Sequence, residues 1–174
     1  EFGCDFKVDP TKVYYSERFS TERKRVIDQI EDGEKVLVMF AGVGPFAIMA
    51  AKHAKPKKVV AIEKNPAAAD YMNENIKLNK VEDKVKGIKG DVGDVIPDLD
   101  EVFDRVIMPL PESSKNYLDL ADDILNSDGV IHLYSFEDSN EINLEQNLGL
   151  EILGVTECGE RNPKEKRFCI RIGH

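Results

Sequence analysis

KVLVMFAGVGPF, residues Lys35 to Phe46, decides how this chain is read. Val36 to Phe40 is a run of apolar or β-favouring residues, the pattern of a strand buried in a parallel sheet. It runs into Ala41-Gly42-Val43-Gly44-Pro45, a turn too tight for bulky side chains, and Phe46 to Ala51 then reads as a helix. Strand, glycine turn and helix start make a nucleotide-type site, where backbone N–H groups and the positive helix end face a ligand. Gly42-x-Gly44-x-x-Ala47 also fits the dinucleotide fingerprint, a short motif that ordinary tight turns satisfy as well.

Upstream of this stretch, Lys7 to Ser16 (KVDPTKVYYS) predicts strand, turn and strand around Asp9-Pro10. Ser20 or Thr21 is placed to cap a helix running to Ile30, with Glu22 in its first turn. Downstream, a helix over 46–54 stops before Pro56, and Lys58 to Ile62 is a second strand ending at Glu63. Asn65-Pro66, a cap followed by proline, starts a helix predicted to reach Asn79. Val85 to Lys89 is a third strand ending at Gly90-Asp91, and Val102 to Leu110 a fourth, closed by Pro109 and Pro111. An amphipathic helix is predicted over 113–125, a fifth strand over Gly129 to Phe136 and a short helix over Glu141 to Leu148. Two last strands, 150–158 and 166–172, flank a turn at Asn162-Pro163.

Strands alternating with helices imply right-handed crossovers and a mostly parallel sheet covered on both faces. The last two strands have too short a connector for a crossover, so they are expected to be antiparallel. The length, 174 residues, fits one domain, with an N-terminal hairpin and helix over 1–31 and an α/β core over 32–174. No run approaches 18 apolar residues, so no membrane partner is expected. Cys4, Cys158 and Cys169 are scattered and unpaired in spacing, which fits a reducing cytoplasm and neither a disulfide framework nor a metal site. The net charge of −9 argues against a nucleic-acid partner, but its distribution is uneven. Residues 91–151 hold sixteen acids and two bases, leaving the rest of the chain net positive.

In such sheets, ligands bind at the carboxyl ends of the strands. Glu63 stands there, 19 residues after Gly44, where a carboxylate can accept both hydroxyl hydrogens of a ribose. Asp91 ends the third strand, within reach of an adenine amino group, and Pro109-Leu110-Pro111 ends the fourth, where a cofactor's reactive end would meet substrate. A nicotinamide cofactor fits Gly42, Gly44, Ala47 and Glu63 as well as S-adenosylmethionine does. The second acid and the antiparallel terminal pair tip the choice to S-adenosylmethionine and its Rossmann-like methyltransferase fold.

Four separated segments then resemble one family. YYSERFSTER (Tyr14–Arg23), FAGVGPF (Phe40–Phe46), NENIKLNKV (Asn73–Val81) and DRVIMPLP (Asp104–Pro111) are similar to the archaeal and eukaryotic tRNA (guanine-37 N1)-methyltransferases. FAGVGPF also suits the related wybutosine-pathway aminocarboxypropyl transferases. The resemblance covers nearly the whole chain but only that family's catalytic domain. The full-length enzymes carry further N-terminal RNA-binding segments, so weak tRNA binding is expected of these residues alone. It implies that Phe40, Ala41, Gly42, Gly44, Pro45 and Phe46 cradle the methionine moiety. Glu63, with Lys64 and Asn65 beside it, would hold the ribose, and Asp91 with Val92 the adenine. Pro109 would meet both cofactor and substrate, with Tyr14, Arg18 and Pro111 on the substrate side. Arg18 and Glu22 match the family's catalytic arginine and glutamate. The family's usual Asn-Leu-Pro is Pro109-Leu110-Pro111 here, and proline offers only a carbonyl where asparagine also donates. That bears on how guanine is gripped, and a wyosine precursor becomes an alternative substrate.

The implied chemistry suits these side chains. Guanine N1 carries a hydrogen, so its methylation needs a base while negative charge gathers on O6. A carboxylate supplies the first, worth about 10²–10⁴-fold, and a guanidinium stabilises the second. Arg18 and Glu22, four residues apart, can face one pocket; the same spacing also suits an exposed ion pair worth about 0.3–0.5 kcal/mol. Aminocarboxypropyl transfer, a nicotinamide oxidoreductase and a binding module without turnover remain the alternatives.

Overall fold

Three short parallel strands, β1 (Lys35–Val38), β2 (Lys58–Glu63) and β3 (Val85–Lys89), lie in the order β3-β2-β1 in the first half of the chain. The chain is described from a computed structural model, which covers residues 1–138 and 149–174. The short helix expected at 141–148 lies outside the described residues. Contacts divide the chain into two units, Glu1–Asp100 and Glu101–His174, taken in turn below.

The first unit follows its apolar pattern closely. Val36, Leu37, Val38, Val59, Val60, Ala61 and Ile62 are wholly buried, which is why these strands read as continuous apolar runs rather than alternating ones. Helices α1 (Ser20–Ile27), α2 (Pro45–His53), α3 (Pro66–Leu78) and the short α4 (Val92–Val95) accompany them. Ile48 and Met49 of α2 and Ala69 and Met72 of α3 lose all exposure. Each large apolar side chain buried this way contributes about 1.5–3 kcal/mol. At the start of α3, the Asn65 side-chain oxygen accepts from the N–H groups of Ala67 (3.0 Å) and Ala68 (3.4 Å), with Pro66 at the first helical position.

Three expectations for the N-terminal part fail. There is no hairpin in residues 1–19, which are irregular apart from a 3₁₀ turn at Glu17–Phe19. The backbone of this segment finds its partners on a helix instead. Asn79 accepts from the Asp5 N–H (3.0 Å) and donates to the Asp5 carbonyl (2.7 Å), while Asn75 accepts from the Lys7 N–H (2.7 Å) and donates to its carbonyl (3.1 Å). Neither Ser20 nor Thr21 caps α1, because the 3₁₀ turn feeds directly into it and Ser20 already bonds back to the Glu17 carbonyl. The helix also ends at Ile27, short of Ile30.

In the second unit, β4 (Phe103–Met108) runs parallel to β5 (Leu125–Asp138), and β7 (Glu165–Gly173) is antiparallel both to β5 and to β6 (Glu151–Glu160). The expected antiparallel ending is present. The long helix expected over 113–125 is not. It is a 3₁₀ turn at Ser114–Tyr117 and a single helical turn and a half, α5 (Leu118–Asp122). Leu125 pairs with Phe103, and the Phe103 N–H donates to the Ile124 carbonyl (2.8 Å), so the sheet takes residues that the helical stripe had claimed. Among the described residues, β6 pairs with β7 alone; it exposes Ile152, Leu153 and Val155 and breaks register twice, at Ile152/Gly154 and at Glu157/Gly159. Within the second unit the strand order is β4-β5-β7-β6, as it is β3-β2-β1 within the first, and β7 alone runs against its neighbours. Among the described residues, no helix is long and apolar enough to cross a membrane.

Candidate active site

The loop after β1 is built on backbone conformations that most residues avoid. Phe40, Gly42 and Gly44 all have positive φ, at 54°, 58° and 90°. For glycine this costs nothing sterically, whereas a phenylalanine held there stores strain of the kind that gathers at functional loops. Gly44 is also crowded. A Cβ at that position would lie 3.0 Å from Met72 Cγ and 3.3 Å from Ile48 Cδ1, whereas one at Gly42 would meet nothing within 4 Å. Gly44→Ala is therefore expected to cost about 1–2 kcal/mol from its left-handed backbone alone, with the Met72 contact added. At about 2–4 °C per kcal/mol, that lowers the melting temperature by roughly 2–8 °C. Gly42→Ala should lower it less, and calorimetry giving the reverse order would remove the packing argument.

The N–H groups of this loop are largely engaged within the protein. Ala41 donates to the Ile62 carbonyl (2.9 Å), Gly44 donates to the Ala41 carbonyl (3.0 Å), and Pro45 has no N–H. The Gly42 N–H donates to Glu63 Oε2 (2.7 Å), and the other carboxylate oxygen accepts from the Asn65 N–H (2.7 Å). Glu63 thus ties the loops after β1 and β2 together, and the Gly90 N–H joins the third by donating to the Glu63 carbonyl (3.0 Å). A loop that cradles a pyrophosphate leaves several inward-pointing N–H groups for it. Here the Gly42 N–H is already taken by the Glu63 carboxylate and the Gly44 N–H by the Ala41 carbonyl.

Asp91 lies two residues beyond β3 and caps α4, accepting from the Gly93 N–H (2.9 Å). Its other oxygen meets Lys64 Nζ at 2.6 Å. The Lys64 hydrogen bond, then that of Gly93, holds the Asp91 carboxyl below its ordinary value. The stabilisation is therefore complete above the ordinary Asp range and is lost as pH falls through the lowered value. Lys64 is largely exposed, so this is a surface pair that a ligand can displace cheaply. Val92 is buried beneath it. The Asn65 side chain, expected to hold cofactor, is engaged in capping α3.

The expected catalytic pair is arranged differently. Arg18 is exposed in the 3₁₀ turn, and Tyr14 is 78% exposed. Glu22 sits in the first turn of α1, and Arg25 grips it with two bonds of 2.7 Å, Nε to Oε2 and Nη2 to Oε1. The segment leading to Arg18 is anchored by a buried cluster whose members, Glu1, Tyr15 and Arg23, carry no shared motif in the sequence. Arg23 donates to both oxygens of Glu1 (2.7 and 2.6 Å) and to the Ser16 carbonyl (2.8 Å), and lies 5.5 Å from the Tyr15 ring centre. Burial, together with the Glu1 carboxylate that its hydroxyl contacts, pushes the Tyr15 phenol well up. Arg25 was open to detection as a helical i,i+3 partner of Glu22. Asn75 was too, as a polar residue on the buried stripe of Met72 and Ile76. In the second unit, Pro109 and Pro111 are half-buried at the end of β4. The Ser114 hydroxyl sits within bonding distance of the Met108 and Leu110 carbonyls (3.0 and 2.6 Å), pinning that turn.

Residues 1–150 match the model of the TRM5/TYW2 methyltransferase domain. The chain belongs to this family. Among curated relatives, the Pyrococcus abyssi tRNA (guanine(37)-N(1))-methyltransferase Trm5b is 46% identical over 136 residues, which is 78% of this chain and 39% of that protein. The Methanocaldococcus jannaschii tRNA(Phe) (4-demethylwyosine(37)-C(7)) aminocarboxypropyltransferase is 45% identical over 134 residues, 77% of this chain and 53% of that protein. The chain therefore spans about half or less of the length of these relatives. The crystal structure of wild-type P. abyssi Trm5b superimposes with a TM-score of 0.89 at 37% identity, covering 99% of this chain and 54% of that one. M. jannaschii TYW2 in complex with AdoMet gives 0.88 at 35%, covering 100% and 84%. A complex of aTrm5 with tRNALeu gives 0.85 at 34%, covering 99% and 50%. TRM5/TYW2 members thus include both methyl and aminocarboxypropyl transferases, and this chain has the Rossmann-like methyltransferase fold that they share.

Proposed function

We propose that these residues are the S-adenosylmethionine-binding, catalytic part of an enzyme that methylates N1 of guanosine 37 in tRNA. The observation that carries the cofactor choice is the family match over residues 1–150, with a TYW2 relative solved in complex with AdoMet. The glycine loop agrees with it, its Gly42 and Gly44 N–H groups being engaged within the protein rather than left for the pyrophosphate of a nicotinamide dinucleotide. Phe40 to Phe46 would hold the methionine moiety, Glu63 the ribose and Asp91 the adenine amino group. When bound, S-adenosylmethionine supplies an electrophilic methyl group. Glu22 takes the proton from guanine N1, and Arg18 lies exposed, able to stabilise charge on O6. The solved AdoMet and tRNA complexes of relatives support both ligands. Tight tRNA binding is assigned to segments outside these residues, and salt should weaken what remains.

Mass spectrometry of nucleosides, after incubation of tRNA with S-adenosylmethionine, tests this reading. Methylated guanosine is the expected product. An aminocarboxypropyl adduct would replace this reading, and methylation only of a wyosine precursor would establish the second one, on which Pro109 in place of the family's asparagine bears. A melting-temperature rise with NAD but none with S-adenosylmethionine would overturn both. Asp91→Ala is expected to weaken cofactor binding by about 1–3 kcal/mol, the penalty for leaving a polar partner unpaired. Unchanged affinity by calorimetry would remove Asp91 from the site.

A further inference from the structure

Asn75 is wholly buried, and its amide makes three bonds in two directions. The oxygen accepts from the Lys7 N–H (2.7 Å), one hydrogen goes to the Lys7 carbonyl (3.1 Å), and the nitrogen also donates to the Val43 carbonyl (3.1 Å). Val43 stands between Gly42 and Gly44 in the loop after β1. Its carbonyl belongs to the same peptide plane as the Gly44 N–H, which donates to the Ala41 carbonyl. That plane is thus fixed at both ends, one of them by Asn75.

The orientation of the Asn75 amide is in turn set by Lys7. With its oxygen facing the Lys7 N–H, the nitrogen faces Val43; a flipped amide would set oxygen against both carbonyls. Asn79, one helical turn further on, grips Asp5 in the same two-bonded way but does not touch the loop; its remaining bond runs to the Asn75 backbone carbonyl (2.8 Å). The geometry allows this ladder because four helical residues rise about 6 Å, close to the roughly 6.6 Å that two extended residues span. An apolar contact runs parallel to the polar one. Val13 and Val43 pack with Ala68, with Val8, Tyr15 and Tyr71 alongside.

We propose that Asn75 is a positioning residue that couples the cofactor loop to the N-terminal segment carrying Tyr14 and Arg18. Occupation of the loop holds the Val43 peptide, which holds the Asn75 amide, which holds Lys7. By linkage, ordering of the segment favours cofactor binding to the same extent. Binding of the methyl donor then organises the residues that meet the substrate. This rests on the reading of the loop as an S-adenosylmethionine site.

Two measurements on the 174-residue chain decide it, with S-adenosylhomocysteine as the probe. In the unsubstituted protein, saturating probe is expected to slow hydrogen exchange at the Lys7 amide by about threefold or more. In calorimetry, Asn75→Ser should weaken the probe about tenfold, within the usual span of coupling between sites. Asn79→Ala should lower the melting temperature yet leave affinity within twofold. Exchange at Lys7 indifferent to bound probe would overturn the proposal, and it does so even where Asn75→Ser fails to fold. Equal weakening by Asn79→Ala would also overturn it, by showing general loosening rather than a route through Val43. If the unsubstituted chain does not bind the probe at all, the cofactor reading itself falls, which the first calorimetric run distinguishes.

Discussion

Glu22→Gln is expected to slow single-turnover methyl transfer to tRNA about 10²–10⁴-fold while leaving S-adenosylmethionine affinity nearly unchanged. The substitution keeps size and one acceptor oxygen, so Arg25 retains a partner, but an amide cannot take the guanine N1 proton. Arg25 engages each oxygen of Glu22 once, at 2.7 Å. The two-bonded grip fixes the orientation of the carboxylate. Proton removal and charge neutralisation at O6 belong to one step. Loss of Arg18 and loss of Glu22 should therefore be far from additive, the double variant being little worse than the single one. Single-turnover conditions are required, because product release can hide chemistry in the steady state. Transfer within about threefold of the unsubstituted enzyme at saturating tRNA would show that Glu22 is not the base.

The second large effect belongs to Glu63. Glu63→Ala should weaken S-adenosylhomocysteine binding about 10²–10⁴-fold. Two ribose hydroxyls lose a charged acceptor, each such bond being worth about 1.5–3 kcal/mol. The same change frees the Gly42 and Asn65 N–H groups that the carboxylate holds. The melting temperature should fall as well, since two charge-assisted bonds between loops are lost. The two readouts separate the roles. A lower melting temperature with affinity within threefold would leave Glu63 as a loop brace alone, and a loss of affinity with unchanged stability would make it a ligand contact alone.

The elements that place this site were legible because their signals are local. Val36 to Val38 and Val59 to Ile62 read as buried strands from their own residues, and Asn65-Pro66 marked a helix start that the structure reproduces. The positions of Glu63 at the end of β2 and Asp91 just beyond β3 were legible because strand ends are fixed by where the apolar run stops. What failed depended on partners distant in sequence. Residues 5–7 look the same whether a strand or a pair of asparagines 68 to 74 positions away accepts their backbone bonds. The stripe through Tyr117, Ala121 and Ile124 is helical by spacing, yet pairing of Leu125 with Phe103 decides its fate. Likewise, the partner of Glu22 is Arg25 rather than Arg18, a choice between two helical neighbours that spacing alone leaves even.

The two register breaks in β6 govern how the protein behaves at high concentration. A ten-residue outer strand bearing Ile152, Leu153 and Val155 at its surface is the sort of template on which a second chain can extend a sheet. Bulges at Ile152/Gly154 and Glu157/Gly159 leave only a short stretch of regular ladder between them and twist the free edge away from planarity. Backbone shape is thus expected to oppose self-association along this strand beside the charges of Glu151, Glu157 and Glu160, and that share of the protection should persist in added salt, where protection by surface ions would not.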